Sequence, residues 1–437
     1  MTPAARLSGA IDLLCAIQNA PHRPADAVAN NFFRERRYIG GGDRRAISTL
    51  AWDVLRAWRR LHWHLRAELR YRHEDISPRL LCAAMLHFVG QPLSSIQALF
   101  SGERYAPAPL SEREYAMLAA LEGQSITDEK QALPVRLEYP DWLHPYLERD
   151  FGERLEEEMR ALMGAPTLDL RVNLLKGTRE EALRRLKREG FDGQPTPLSP
   201  WGIRLEGRQP VTAAALFRDG LVEIQDEGSQ LIAAAVDARP GERLLDYCAG
   251  AAGKTLAIAM TMENKGQIVA CDVSSIRLEG AVKRLRRAGV HNVTRHLLKE
   301  GDKWAKRREG QFETVLVDAP CSGTGTWRRN PDARLRLSET DVQELCVKQA
   351  AILDIAARLV RPGGKLVYAT CSLLGVENTQ QIEAFLKRRA DYQRLPSARR
   401  SLFLPESLRQ DSAFALTPYS YGTDGFFVAV MERSAQN

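Results

Sequence analysis

The sequence predicts an α/β protein whose C-terminal half is a doubly wound parallel sheet, preceded by a small α/β module and an all-helical segment. From about residue 221, short apolar runs of strand type alternate with helix-length amphipathic stretches. That is the pattern of parallel strands covered on both faces by crossover helices. Residues 1–132 instead place apolar residues at three- and four-residue spacing, with no strand signal of note. A length of 437 residues exceeds one ordinary core and predicts two or three domains.

Within the first segment, "DRRAISTLAWDVLRAWRRLHWHLRAEL" sets Ile47, Leu50, Ala51, Val54, Leu55, Trp58 and Leu61 on one stripe, with Asp43 as the expected N-cap. "SPRLLCAAMLHFVG" and "SEREYAMLAALEG" give further helices, each stopped by glycine. Residues 133–220 read as the α/β module: strand "LDLRVNLLKG", capped helix "TREEALRRLKREG" and short strand "GIRLEG". In residues 221–437 the order is strand "RLLDYCAG", helix "KTLAIAMTME", strand "QIVACD", helix "SSIRLEGAVKRLRRAG" and strand "VTRHLLKEGD". Strand "FETVLVDAP" then precedes a long loop and a helix near 341–360. Strand "KLVYATCS" precedes helix "VENTQQIEAFLKRR", and a hairpin-like pair closes the chain.

The hydrophobic share of 44% and charged share of 27% are those of a soluble globular chain. No apolar run approaches the roughly 20 residues that span a bilayer. The opening residues are amphipathic rather than signal-like, so a cytoplasmic location without a membrane partner is expected. Seven cysteines without a CxxC pair argue against zinc and against a secreted disulfide framework, so no metal is expected. The net charge of +7 is unevenly spread: no lysine precedes Lys130, while twelve arginines lie between Asn30 and Leu80 against six acids. With Trp52, Trp58, Trp63 and Tyr71 interleaved, this composition suits RNA. Its alternative is a solvated helix face with the aromatics in the core.

"LLDYCAGAAGKT" is an apolar strand ending in Asp246, then a loop with Gly250 and Gly253 before a helix. Asp272, 22 residues beyond Gly250, ends the next strand. A glycine loop and an acid at that distance suit a nucleoside whose ribose hydroxyls the acid grips, which leaves NAD and S-adenosylmethionine both open. It is not a nucleotide-triphosphate loop, because Cys248 stands where GxxxxGK[ST] needs its first glycine.

Two stretches, "VLVDAPCSGTG" (315–325) and "KLVYATCSLLG" (365–375), each carry an apolar strand to a small residue, a cysteine and a serine. A thiolate adding to carbon 6 of cytosine turns carbon 5 into a nucleophile toward a methyl group, and must later leave by elimination. An acid at the ring edge is also needed, and Asp318 has the type and position. One cysteine can add and the other can assist release; the residues alone do not say which.

With these motifs the chain resembles the RNA (cytosine-5)-methyltransferases, and among them the bacterial ribosomal-RNA RsmB/Sun group with its NusB-like helical domain. "DAPCSGTGTWRRNPD" and "GGKLVYATCSLLGVEN" match the two cysteine motifs, and "RVNLLK", "VEIQDEGSQ" and "GTDGFFVA" the flanking ones. "GGDRRAISTLAWDVLR" resembles the NusB-like segment. The resemblance implies a Rossmann-like S-adenosylmethionine-dependent domain over 221–437 and an RNA-binding domain over 1–132. It makes Cys371 the nucleophile and Cys321 the aid to product release. Asp318 would contact the cytosine, with Lys254 in the catalytic set. Cys248, Ala249, Gly250, Ala251, Ala252, Gly253, Lys254, Asp272, Asp302 and Asp318 would hold S-adenosylmethionine, with Glu300 the alternative to Asp302. Where the family reads DxCAAPGGKT, Ala251 replaces proline and Ala252 a glycine, a departure that bears on cofactor affinity. The expected partner is ribosomal RNA, acted on by a monomer. Transfer RNA and a non-catalytic RNA-binding role are the alternatives. In a DNA cytosine enzyme the nucleophile follows proline, which would make Cys321 the attacker.

Overall fold

The computed structural model describes residues 1–68, 76–207, 209–395 and 401–435. The chain opens with α1 (Pro3–Gln18), α2 (Ala25–Glu35), α3 (Gly41–Arg56), α4 (Trp58–Glu68) and α5 (Pro78–Phe88). Then come α6 (Leu93–Leu99), α7 (Glu112–Ala119), α8 (Leu133–Arg136), α9 (His144–Phe151) and α10 (Leu155–Met163). An antiparallel sheet follows, ordered β2-β3-β1-β4, from β1 (Leu168–Val172), β2 (Gly193–Pro195), β3 (Gly202–Leu205) and β4 (Val222–Ile224). It carries α11 (Arg179–Arg188), whose N-terminus Thr178 caps as its side chain accepts from the Glu181 amide, and α12 (Ala215–Arg218).

The larger sheet is built from β5 (Arg243–Asp246), β6 (Gln267–Asp272), β7 (Val293–Leu297), β8 (Phe312–Asp318), β9 (Val360–Thr370), β10 (Tyr392–Arg394), β11 (Ala413–Leu416) and β12 (Phe426–Arg433). Its path is β10-β12-β9-β8-β5-β6-β7, with β11 on β12. Helices α13 (Glu227–Val236), α14 (Gly253–Thr261), α15 (Ser275–Ala288), α16 (Ala333–Arg336), α17 (Glu339–Leu359), α18 (Thr379–Arg388), α19 (Glu406–Arg409) and α20 (Pro418–Tyr421) complete the order. Strands β5 to β9 pair in parallel as expected. The closing pair is antiparallel, so the sheet is mixed at that edge. Chain order reverses at β5, where connections leave toward β6 on one side and β8 on the other; open α/β sheets bind ligands at such a switch point.

By internal contacts the chain forms two units. The helical unit is Met1–Gly164 together with Trp327–Ser338, and the sheet unit is Ala165–Thr326 with Glu339–Asn437. The tail of the first cysteine motif therefore packs with the helices. Asp332 accepts the Ala25 amide at the start of α2, and Arg334 donates to the Glu138 carbonyl.

Two local expectations are corrected in the helical unit. The long stripe is two helices, α3 and α4, broken at Ala57. The buried Glu138 carboxylate accepts the Arg59 and Arg60 amides and so caps α4 from a distant part of the chain. Asp43 is not the N-cap, which is Gly40; its carboxylate instead accepts from Arg6 and from the N-terminal amine. The arginines divide in use. Arg60 is buried against Glu138 and Arg59 pairs with Asp141, whereas Arg34, Arg37, Arg45 and Arg66 are exposed. Trp52 joins the core, while Trp58 and Trp63 are half-buried; Arg70, Tyr71 and Arg72 lie outside the described residues.

Candidate active site

Strands β8 and β9 lie side by side in parallel, with Asp318 opposite Ala369. Their matched exits bring the two cysteines together: Cys321 Sγ and Cys371 Sγ are 3.5 Å apart, both as free thiols. Backbone bonds lock the loops, Ala319 donating to the Ala369 carbonyl and Gly325 to the Cys371 carbonyl. Gly325 in turn abuts Gly425 of the "GTDGFFVA" motif so closely that a Cβ on Gly325 would lie 2.2 Å from the Gly425 oxygen. Only glycine fits there.

Beneath the thiols sits Glu377, fully buried. It accepts the Ser322 amide at 2.9 Å, the Ser322 hydroxyl at 2.5 Å, the Gln349 side-chain amide at 2.9 Å and the Ser372 hydroxyl. The serine after each cysteine is thus held by one carboxylate. Nothing in "VEN" itself signals this role; the repeated Cys-Ser pair is the one sequence feature that hints at it.

Electrostatics separate the two thiols. The Cys321 thiol is pushed well up, first by its hydrogen bond to Cys371 and then by burial; either sulfur can be the donor between them. Lys254, at the start of α14, bonds Asp318 at 2.7 Å. Burial alone would lower the Lys254 ammonium, but the Asp318 charge and hydrogen bond, with Cys371 adding, leave it raised. The cation is therefore held at the Asp318–Cys371 side of the cleft.

The cofactor-type loop leaves β5 next door. Asp246 is fully buried, accepts from the Thr255 hydroxyl at 2.7 Å, and is pushed up to about 7 by burial. Its Oδ1 has no partner among the described residues, an acceptor left for a ligand or solvent. Asp272 holds the loop, taking the Gly250 amide on one oxygen and the Ser274 amide on the other, both at 2.8 Å. Each oxygen keeps a second lone pair, so ribose hydroxyls still fit. Ala252 takes the left-handed conformation of the glycine it replaces, φ 62°, and its methyl packs into the core rather than toward the cleft. Cys248 is a half-buried thiol whose pKa is raised, first by desolvation. From the smaller sheet, Arg171 of "RVNLLK" donates to the Gly253 carbonyl at 3.0 Å, and from α15 Arg284 donates to the Ala251 carbonyl at 2.6 Å. These two arginines brace the loop and were not singled out from the sequence. Asp302 bonds His296 at 2.8 Å and the Trp304 amide, and lines a cavity of about 460 Å³ with Tyr247 and Leu298 that Glu300 does not line. Among the described residues no cluster could hold a metal, and no helix is long and apolar enough to cross a membrane.

The family model "16S rRNA methyltransferase RsmB/F" matches residues 233–432, and the RsmF/B-like ferredoxin-like domain model matches residues 139–212. A probable ribosomal RNA small subunit methyltransferase B of Bacillus subtilis is 34% identical over 316 residues, 71% of this chain and 69% of that protein. Its counterpart in Synechocystis is 34% identical over 72% of this chain and 71% of its own length. The chain belongs to the RsmB/F methyltransferase family. As a member it is an S-adenosylmethionine-dependent RNA methyltransferase, and the expected Rossmann-like fold is borne out. A methyltransferase homologue from Pyrococcus horikoshii superposes with TM-score 0.59 at 30% identity, covering 69% of this chain and 97% of its own. The crystal structure of PH0851 shares the fold over 99% of both chains, with TM-score 0.79 at 24% identity.

Proposed function

We propose that this chain methylates carbon 5 of a cytosine in small-subunit ribosomal RNA through a covalent bond to Cys371. One observation carries the reading: two thiols 3.5 Å apart at adjacent strand exits, with the Lys254–Asp318 pair beside them. The carboxylates Asp246, Asp272 and Asp318 at the ends of β5, β6 and β8 suit the ribose and positive charge of S-adenosylmethionine. When bound, it supplies an electrophilic methyl group.

Cys371, as thiolate, forms the sulfur–carbon 6 bond. Lys254 and Asp318 hold one transferable proton between them, so a proton can reach N3 while the carboxylate accepts from the exocyclic amine. The electron pair pushed to carbon 5 takes the methyl. The carbon 5 proton is lost to solvent, the sulfur–carbon 6 bond breaks to return Cys371 as thiolate, and the N3 proton goes back to the Lys254–Asp318 pair. Cys321, next to the departing sulfur, assists that elimination. The exposed arginines of the helical unit support RNA as the substrate. The homologues' small-subunit substrate supports the choice of RNA, and cytoplasmic action follows from it.

The test is release of tritium from small-subunit RNA labelled at carbon 5 of cytosine, measured with the purified full chain. Release equal to methyl incorporation is expected. Methyl incorporation without tritium release would overturn carbon 5 as the acceptor.

A further inference from the structure

The helical unit contains a groove of about 780 Å³ that the methyl-transfer chemistry leaves unused. Helix α4 presents Trp58, His62, Trp63 and Arg66 to it, and Trp142 and Arg334 line it from elsewhere in the unit. Among the described residues its lining includes three arginines and no carboxylate. Arg59 is already committed to Asp141, but Arg66 is exposed and the structure gives it no acid partner among the described residues.

Arg334 supplies the decisive detail. The side chain is 2% exposed, with Nε donating to the Pro331 carbonyl and Nη1 to the Glu138 carbonyl. Nη2 is buried and has no hydrogen-bond partner. An orphaned guanidinium N–H on a residue that lines the groove is a costly arrangement that an oxygen or ring nitrogen brought against it would relieve. Aromatic side chains beside fixed cations are the surface on which unstacked bases and their phosphates bind.

We propose that this groove is a subsite for an unstacked nucleotide of single-stranded RNA, its base against the aromatic side chains and an acceptor atom on Arg334. The inference rests on the RNA substrate proposed above and extends it to a second contact, in the helical unit.

The probe is a fluorescent single-stranded RNA octamer, with affinity for the full chain read by anisotropy. Trp63→Leu and the exposed Arg66→Glu should each weaken binding roughly five- to a hundredfold, with S-adenosylmethionine affinity by calorimetry unchanged. Ultraviolet cross-links to the octamer should map to Trp58, Trp63 or Trp142. Unchanged octamer affinity in both variants would overturn the subsite, as would equal competition by duplex RNA or by an acidic peptide. Because affinity is read apart from methyl transfer, a wild type that binds through the groove but releases no tritium would sink only the reaction assigned above. A chain that methylates carbon 5 with both variants at full affinity would sink only the groove.

Discussion

Cys321 follows β8 by three residues and Cys371 follows β9 directly, and in each loop the next residue is a serine bonded to Glu377. The backbone solution is shared; the surroundings of the sulfur are not. Cys321 has its pKa raised by the hydrogen bond it shares with its neighbour and by burial. Cys371 instead lies within the field of Lys254. A nearby cation favours a thiolate, and the Lys254 ammonium interacts with Cys371. On the function proposed above, these surroundings would give a near-repeat in sequence two different jobs.

Removing the lysine should have the largest effect. Lys254→Met is expected to lower kcat/KM roughly hundredfold or more, measured on RNA at saturating S-adenosylmethionine. The same residue has a pH signature. Its ammonium is raised above the ordinary 10.5, so the stabilisation it provides is complete below that value and disappears as pH rises through the folded-state value. Urea unfolding at and above about pH 10 should show the wild type losing stability faster than Lys254→Met; parallel curves would remove the lysine from the comparison.

Next comes the shared support. Glu377→Gln replaces an acceptor of four donors with a group that must itself donate, and should cost about 3 kcal/mol in urea unfolding. If the carboxylate positions both thiols, kcat should fall while S-adenosylmethionine affinity holds. Loss of stability with kcat unchanged would make Glu377 structural only.

Ala252→Gly should have the smallest effect and the opposite sign. Relief of the left-handed alanine is expected to stabilise the fold by about 1 kcal/mol, seen as a higher urea midpoint. A lower midpoint would mean that the methyl's packing outweighs the backbone strain at the third strand exit.

Much of this was legible in the sequence because its signals are local. The run of strands and helices from residue 221 follows apolar spacing, and the two cysteine motifs lie on single stretches of chain. What escaped depends on partners distant in sequence. Glu377 meets Ser322 across 55 positions, Arg171 meets Gly253 across 82, and Asp332 meets Ala25 across 307. The break at Ala57 was hidden because an apolar stripe runs through both helices. Asp43 misled because an acid in a first turn and an N-cap look alike until the bond is seen. Ala251 and Ala252 suggested a disturbed loop, yet Ala252 keeps the turn that glycine would make.

The assignment of the attacking sulfur is tested most directly by trapping it. RNA carrying 5-fluorocytidine at the target has no carbon 5 proton to lose, so elimination stops and the thioether persists. Digestion and mass spectrometry of the full-length enzyme trapped on this RNA with S-adenosylmethionine should place the modified nucleotide on Cys371, with Cys321→Ala still trapping and Cys371→Ala not. A modified nucleotide on Cys321, lost in Cys321→Ala, would contradict the assignment.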